Sequence, residues 1–120
     1  MNNWVKIGGL LGFLGVALGA FGAHTMKGIL TPETAEIYRT GVLYHLIHSA
    51  VIVAIGLNGR EKYSGAAIFF SLGIILFSFS LYLYAITTIK VFAIITPFGG
   101  ISLLIGWGLI IYAGFKKEGK

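Results

Sequence analysis

Polar residues fall at wide intervals along this chain, and the apolar runs between them have the length a membrane demands. Four such runs cover about 7–23, 40–57, 64–87 and 97–115, and no uncompensated charge lies deep in any of them. A bilayer core of about 30 Å needs roughly 20 apolar residues in a helix. The pattern predicts an all-α fold, an integral membrane bundle of four transmembrane helices making a single membrane domain over 1–120.

The polar breaks say how the runs are joined. Residues 58–63 (NGREKY) form a tight turn opening with Asn-Gly, and 24–39 is the longest connection. Two helix starts carry the same dipeptide, Thr31-Pro32 and Thr96-Pro97. A threonine cap satisfies one free backbone donor, and proline at the first helical position removes another. Between 88 and 95 the chain is apolar except for Lys90, and Pro97, Gly99 and Gly100 disfavour a continuous helix through it. A bend or short interfacial segment is expected there, with Lys90 at the headgroups.

Composition narrows the class further. Charged residues are 11% and hydrophobic ones 57%, against about 25% charged in an ordinary soluble domain. Cysteine is absent, which excludes disulfides, thiolate metal sites and cysteine nucleophiles. The net charge of +5 comes from scattered or terminal Lys and Arg with no basic stripe, so nucleic acid is not expected as a partner. The lipid bilayer, with anionic headgroups at the cytoplasmic face, suits those flanking charges better. Lys6, Arg60, Lys62, Lys116, Lys117 and Lys120 share one side, and Lys27, Arg39 and Lys90 the other. The excess on the first side places both termini in the cytoplasm of a cell-membrane protein. Lys6, the apolar run and Ala20-Phe21-Gly22 also have the layout of a signal peptide. A glycine pattern in the same run, which a discarded segment would not need, speaks for a retained helix.

That pattern is Gly8, Gly12, Gly15, Gly19 and Gly22, spaced four, three, four and three. Lipid gives helices no hydrophobic reason to associate, so they pack where backbones approach closely. Five glycines in register predict a packing seam of left-handed sense. An intrachain partner is the first expectation and a homo-oligomer the second. Ser71, Ser78, Ser80, Gly106 and Ala113 offer further small contact points.

Against this apolar background two histidines stand out in GVLYHLIHSA, residues 41–50. A helix from Pro32 to Leu57 has length for roughly 39 Å at 1.5 Å per residue. On it Gly41, His45 and His48 share a face, and Tyr44 lies one turn from His48. Glu36 and Arg39, three apart, can form an ion pair nearer the helix start. His24 ends the first run on the same side, so His24, Tyr44, His48, Glu36, Arg39 and His45 are expected to converge in the outer half of the bundle.

Several stretches together resemble the domain-of-unknown-function family 423 of small multi-pass bacterial membrane proteins. They are Gly19-Ala20-Phe21-Gly22-Ala23-His24, then Tyr44 and His48, then LFSFSLY at 76–82, then Ile95-Thr96-Pro97-Phe98-Gly99-Gly100, then Gly106-Trp107. The resemblance implies that His24, Tyr44 and His48 belong to the family pattern, whereas His45 stands where a glutamine-like residue is expected. It implies an architecture and no established activity.

The residues leave four functional readings. In the first, His24 and His48 join helices by hydrogen bonds to each other, Tyr44, Tyr82 or Ser78, and the protein has a structural, accessory or assembly role. In the second, His24 and His48 hold a metal or haem, aided by His45, Glu36 or Met26, although the donor set is thin for most metals. In the third, an oligomer carries a small solute or protons, although no acidic residue lies at depth. The fourth, an enzyme, lacks a nucleophile triad, paired acids or a HExxH motif, and is the least favoured. The sequence specifies no cofactor. It ranks His48 as the inward-facing histidine, whose loss should harm folding more than that of His45.

Overall fold

A computed structural model describes residues 3–25 and 27–116. Met26, Lys117 and Lys120, which entered the metal and charge arguments, lie outside the described residues. The elements are α1 (Trp4–His24), α2 (Pro32–Asn58), a 3₁₀ turn (Glu61–Tyr63), α3 (Ser64–Gly73), a wide π turn (Ile74–Ser78), α4 (Phe79–Thr87) and α5 (Lys90–Phe115). Four helical stretches are long and apolar enough to cross a membrane, with Glu61–Thr87 acting as one span.

Local chemistry sets the boundaries. Thr31 caps α2: its Oγ1 accepts from the Thr34 backbone N–H at 3.1 Å, while Thr34 Oγ1 accepts from the Thr31 N–H at 2.8 Å. At the other end Gly59 takes φ +80, a left-handed conformation that favours glycine, and its N–H returns to Ile55 O. The Asn58-Gly59 turn then leads directly into the third span.

The region around Pro97 departs from expectation. No helix break separates 90–95 from the last span, and the helix starts at Lys90 with Ile89 as its cap rather than at Thr96-Pro97. The break falls earlier, at Thr88, whose φ of 56 ends α4. From Lys90 the helix runs unbroken, with Pro97 inside it. Proline removes one backbone donor, but neighbouring helices and Ser/Thr side chains make such interruptions tolerable inside a membrane bundle. Thr96 Oγ1 instead donates to Phe92 O at 3.1 Å and pairs with Ser80 Oγ at 2.6 Å, tying α5 to α4.

The spans stand in a row rather than a closed ring. α1 packs against α2, α2 against the third span, and the third span against α5. The five glycines of α1 all turn towards α2, meeting Val53, Ser49, Leu46, Val42 and Tyr38 in reverse order. The seam is thus occupied within the chain. On the far side Gly99 lies against the backbone of Leu76 and Phe77 in the wide turn, and Gly106 beneath the Phe70 ring. One apolar cluster (Ile52, Ile55, Ala66, Ala67, Phe70, Ile74 and Leu103) fills the end near the 3₁₀ turn. A second, smaller one (Tyr38, Tyr82 and Ala85) fills the opposite end. His45, His48, Ser49 and Ser78 are buried between them.

Candidate functional site

Tyr38, His45 and Ile52 recur every seven residues on α2, as do Gly41, His48 and Ile55, and all six are buried. Sevenfold spacing keeps residues on one helix face, so α2 presents two parallel inward stripes with one histidine on each. What the histidines touch decides what they can do.

His45 is fully buried, at 0% exposure. Its Nε2 lies 2.7 Å from Leu11 O on α1, and its Nδ1 lies 2.8 Å from the Tyr82 hydroxyl on α4. A carbonyl only accepts, so Nε2 carries the proton; in the neutral ring Nδ1 then accepts from the Tyr82 O–H. One side chain thereby links three spans. The His45 ring also packs edge-on against Phe79, with centroids 5.4 Å apart.

His48 uses the opposite tautomer. Its Nδ1–H donates to Tyr44 O on its own helix at 2.7 Å, and its Nε2 accepts from Trp107 Nε1–H of α5 at 3.0 Å. Phe70 and Trp107 close around the ring, with centroids at 5.3 and 5.8 Å. Tyr44 stacks on it with centroids 6.0 Å apart and packs at a tilt against Phe77 at 4.8 Å.

The carbonyls reached from α2 are accessible because of the glycines. A helical carbonyl points towards the residue four positions on, and four residues after Leu11 and Leu18 stand Gly15 and Gly22. A Cβ at Gly15 would crowd the His45 ring at 3.2 Å, and one at Gly22 would collide with the Tyr38 ring. Without those side chains His45 reaches Leu11 O, and the Tyr38 hydroxyl donates to Leu18 O at 2.6 Å. Lone backbone carbonyls leave no trace in a residue pattern, so these partners were not predicted. The sevenfold match of Gly15 and Gly22 with His45 and Tyr38 was the available signal.

The other expected site residues lie elsewhere. His24 is exposed at the end of α1, thirteen positions beyond Leu11 or roughly 20 Å along the axis. It meets neither His45 nor His48. Glu36 and Arg39 pair with each other at 2.8 Å, but with side chains 74% and 69% exposed they lie at the surface near the start of α2. Leu14 is the central residue of α1, and its neighbour Gly15 meets His45 and Leu46. The histidines therefore sit at the middle of the bundle, not towards the end that holds His24. Both histidines face inward, so that criterion does not set His48 apart; His45 joins three spans and His48 two. Ser78, offered as a partner for the histidines, is fully buried with no hydrogen-bond partner for its Oγ.

A metal would need an imidazole lone pair. Both are engaged, that of His48 by the Trp107 N–H and that of His45 by the Tyr82 hydroxyl. Among the described residues no group of three His, Asp or Glu side chains comes together as a metal site. The arrangement joins helices and holds each ring in one orientation.

These features define a small multi-pass membrane protein with four spans. The chain belongs to the family described as Protein of unknown function (DUF423), whose model matches residues 18–100. It is 34% identical over 121 residues to the UPF0382 membrane protein YwdK of Bacillus subtilis, covering 97% of this chain and 98% of the relative. A UPF0382 membrane protein of Haemophilus influenzae is 37% identical over 120 residues, covering 98% and 97%. The UPF0382 inner membrane protein YgdD of Escherichia coli K12 is 34% identical over 113 residues, covering 91% and 86%. No solved structure matches the chain.

Proposed function

We propose that this protein is a non-enzymatic accessory component of the cell membrane, in which His45 and His48 hold the spans together rather than bind metal or relay protons. The observation that carries this reading is the complete use of both ring nitrogens on each histidine by protein partners. A relay needs a group that can release a proton to a neighbour, and a bound metal needs a free lone pair. A glutamine at position 45, the residue type implied by the family resemblance, offers the same donor and acceptor without titrating. Lys6, Arg60, Lys62 and Lys116 stand at one end of the spans, near the start of α1, the turn after α2 and the end of α5. This clustering supports a cytoplasmic setting for that end, against anionic headgroups and with both termini on that side.

The test uses protein purified in mild detergent without a histidine tag. Elemental mass spectrometry should find metal far below one ion per chain. Thermal unfolding should show His45→Ala costing about 1–2 kcal/mol, His48→Ala costing less, and His45→Gln staying close to the parent. Stoichiometric metal that disappears in His48→Ala would overturn this reading in favour of a metal protein.

A further inference from the structure

Because the spans stand in a row, α2 and α5 diverge on either side of the third span and leave a cleft of about 430 Å³ between them. Tyr44 and His48 form one wall, Phe77 the floor, and Pro97, Gly100 and Trp107 part of the other wall. The volume is within the usual range of small-molecule sites, roughly 300–1,000 Å³.

Three observations show what it would take. The first is polar. His48 and Trp107 satisfy each other, but the Tyr44 hydroxyl makes no hydrogen bond to any described residue. Tyr44 is the thirteenth of the 27 residues of α2 and 39% exposed, so in a helix that crosses the bilayer its hydroxyl faces hydrocarbon, where an unsatisfied polar group is costly. Saturated acyl chains bring no acceptor to that depth. The second is shape: Tyr44, Phe77 and Trp107 offer aromatic surfaces on three sides, which favours a flat ring over a flexible chain. The third is Gly100. A Cβ there would meet nothing closer than the Phe77 ring at 3.8 Å, an ordinary contact. Packing does not require glycine at 100 as it does at 99, and the missing side chain leaves the cleft open.

We propose that this cleft is a binding site for a quinone-type lipid, a planar ring bearing carbonyl oxygens on an apolar tail, which enters sideways from the bilayer. The ring lies among Tyr44, Phe77 and Trp107, and the Tyr44 hydroxyl donates to a ring carbonyl. The assignment concerns binding alone and stands apart from the role given to His45.

Trp107 provides the readout. In a Trp4→Phe background, reconstituted in nanodiscs of saturated phosphatidylcholine, decylubiquinone should quench Trp107 emission along a saturable curve. Gly100→Leu should abolish the saturable component while keeping the parent's thermal unfolding. Tyr44→Phe, which removes one oxygen and little volume, should weaken binding about fivefold, as expected for one hydrogen bond. Non-saturating quenching, or equal affinity in Tyr44→Phe and Gly100→Leu, would overturn the proposal. So would saturable quenching by a phosphatidylcholine with brominated acyl chains that decylubiquinone does not relieve, since the occupant would then be an ordinary acyl chain.

Discussion

Glycine recurs every seven residues in both outer spans, at 8, 15 and 22 of α1 and at 99 and 106 of α5, where Ala113 continues the series. What fills the gaps differs. On the α1 side a Cβ at Gly8 would meet the Val53 backbone N at 2.7 Å, but Gly15 and Gly22 admit side chains of α2, and two of those, His45 and Tyr38, hydrogen-bond to backbone carbonyls of α1. On the α5 side Gly99 admits backbone of the wide turn and Gly106 the Phe70 ring. The polar ties there come instead from short hydroxyls, Ser80 to Thr96 and Ser102 Oγ to Phe69 O at 2.8 Å. Long polar side chains can adjust when a neighbour grows, whereas two backbones in contact cannot. The same residue spacing thus gives forgiving contacts at Gly15 and Gly22, where side chains fill the gap, and unforgiving ones at Gly8 and Gly99, where backbone does.

Gly99→Val is expected to have the largest effect. Its Cβ would lie 2.5 Å from the Leu76 carbonyl carbon and 2.6 Å from Phe77 Cα, and neither can rotate away. A loss of at least about 3 kcal/mol is expected, at the upper end for overpacking, seen as disappearance of the monodisperse peak in detergent size exclusion. Gly22→Ala should cost less, about 1–2 kcal/mol, because the Tyr38 ring can swing aside at the expense of its bond to Leu18 O. A double-mutant cycle with Tyr38→Leu checks this: the alanine should cost clearly less once the ring is gone. Equal costs in both backgrounds would mean that the contact at Gly22 is as rigid as the backbone contact at Gly99, and the contrast would fail. The smallest effect belongs to Gly9→Ala, at a glycine with nothing within 4 Å. It should shift unfolding by under about 0.5 kcal/mol and leave the oligomeric state unchanged. A change in oligomeric state would make the outer face of α1 an interface.

The spans, the Thr31 cap and the Asn58-Gly59 turn were legible because each follows from one-dimensional chemistry: run length, a short hydroxyl before proline, a residue that tolerates positive φ. The seam on α1 was legible for the same reason. Pro97 misled because the rule that proline ends helices assumes water ready to take the freed backbone groups. In this fold α5 is braced by α4 across Ser80 and Thr96, and the helix continues through the proline. The polar site was half legible. Periodicity put His45 and His48 on the inner face of α2, but their partners, Leu11 O, Tyr82 and Trp107, depend on how deeply three other spans are inserted. His24 was drawn into the site by being on the same membrane side, a coordinate that says nothing about the roughly 20 Å separating it from the bundle's middle.

The wide turn at Ile74–Ser78, where the Phe79 N–H reaches back five residues to Ile74 O, acts as a phase corrector. The inward residues Phe70, Ile74, Ser78 and Tyr82 are four apart each time. On a regular helix each step of four overshoots a full turn by about 40°, so three steps drift by about 120°. One extra residue in a π turn absorbs about 100° of that. Winding these same residues as a regular α-helix would rotate everything after the turn by about 100°. Tyr82 would leave His45 and Ser80 would leave Thr96, although no contact residue had changed. The two halves of the third span keep a common inward face through one surplus amino acid, so deleting one residue between 74 and 78 should regularise the winding and still leave Tyr82 facing His45, whereas an added residue there would turn it away.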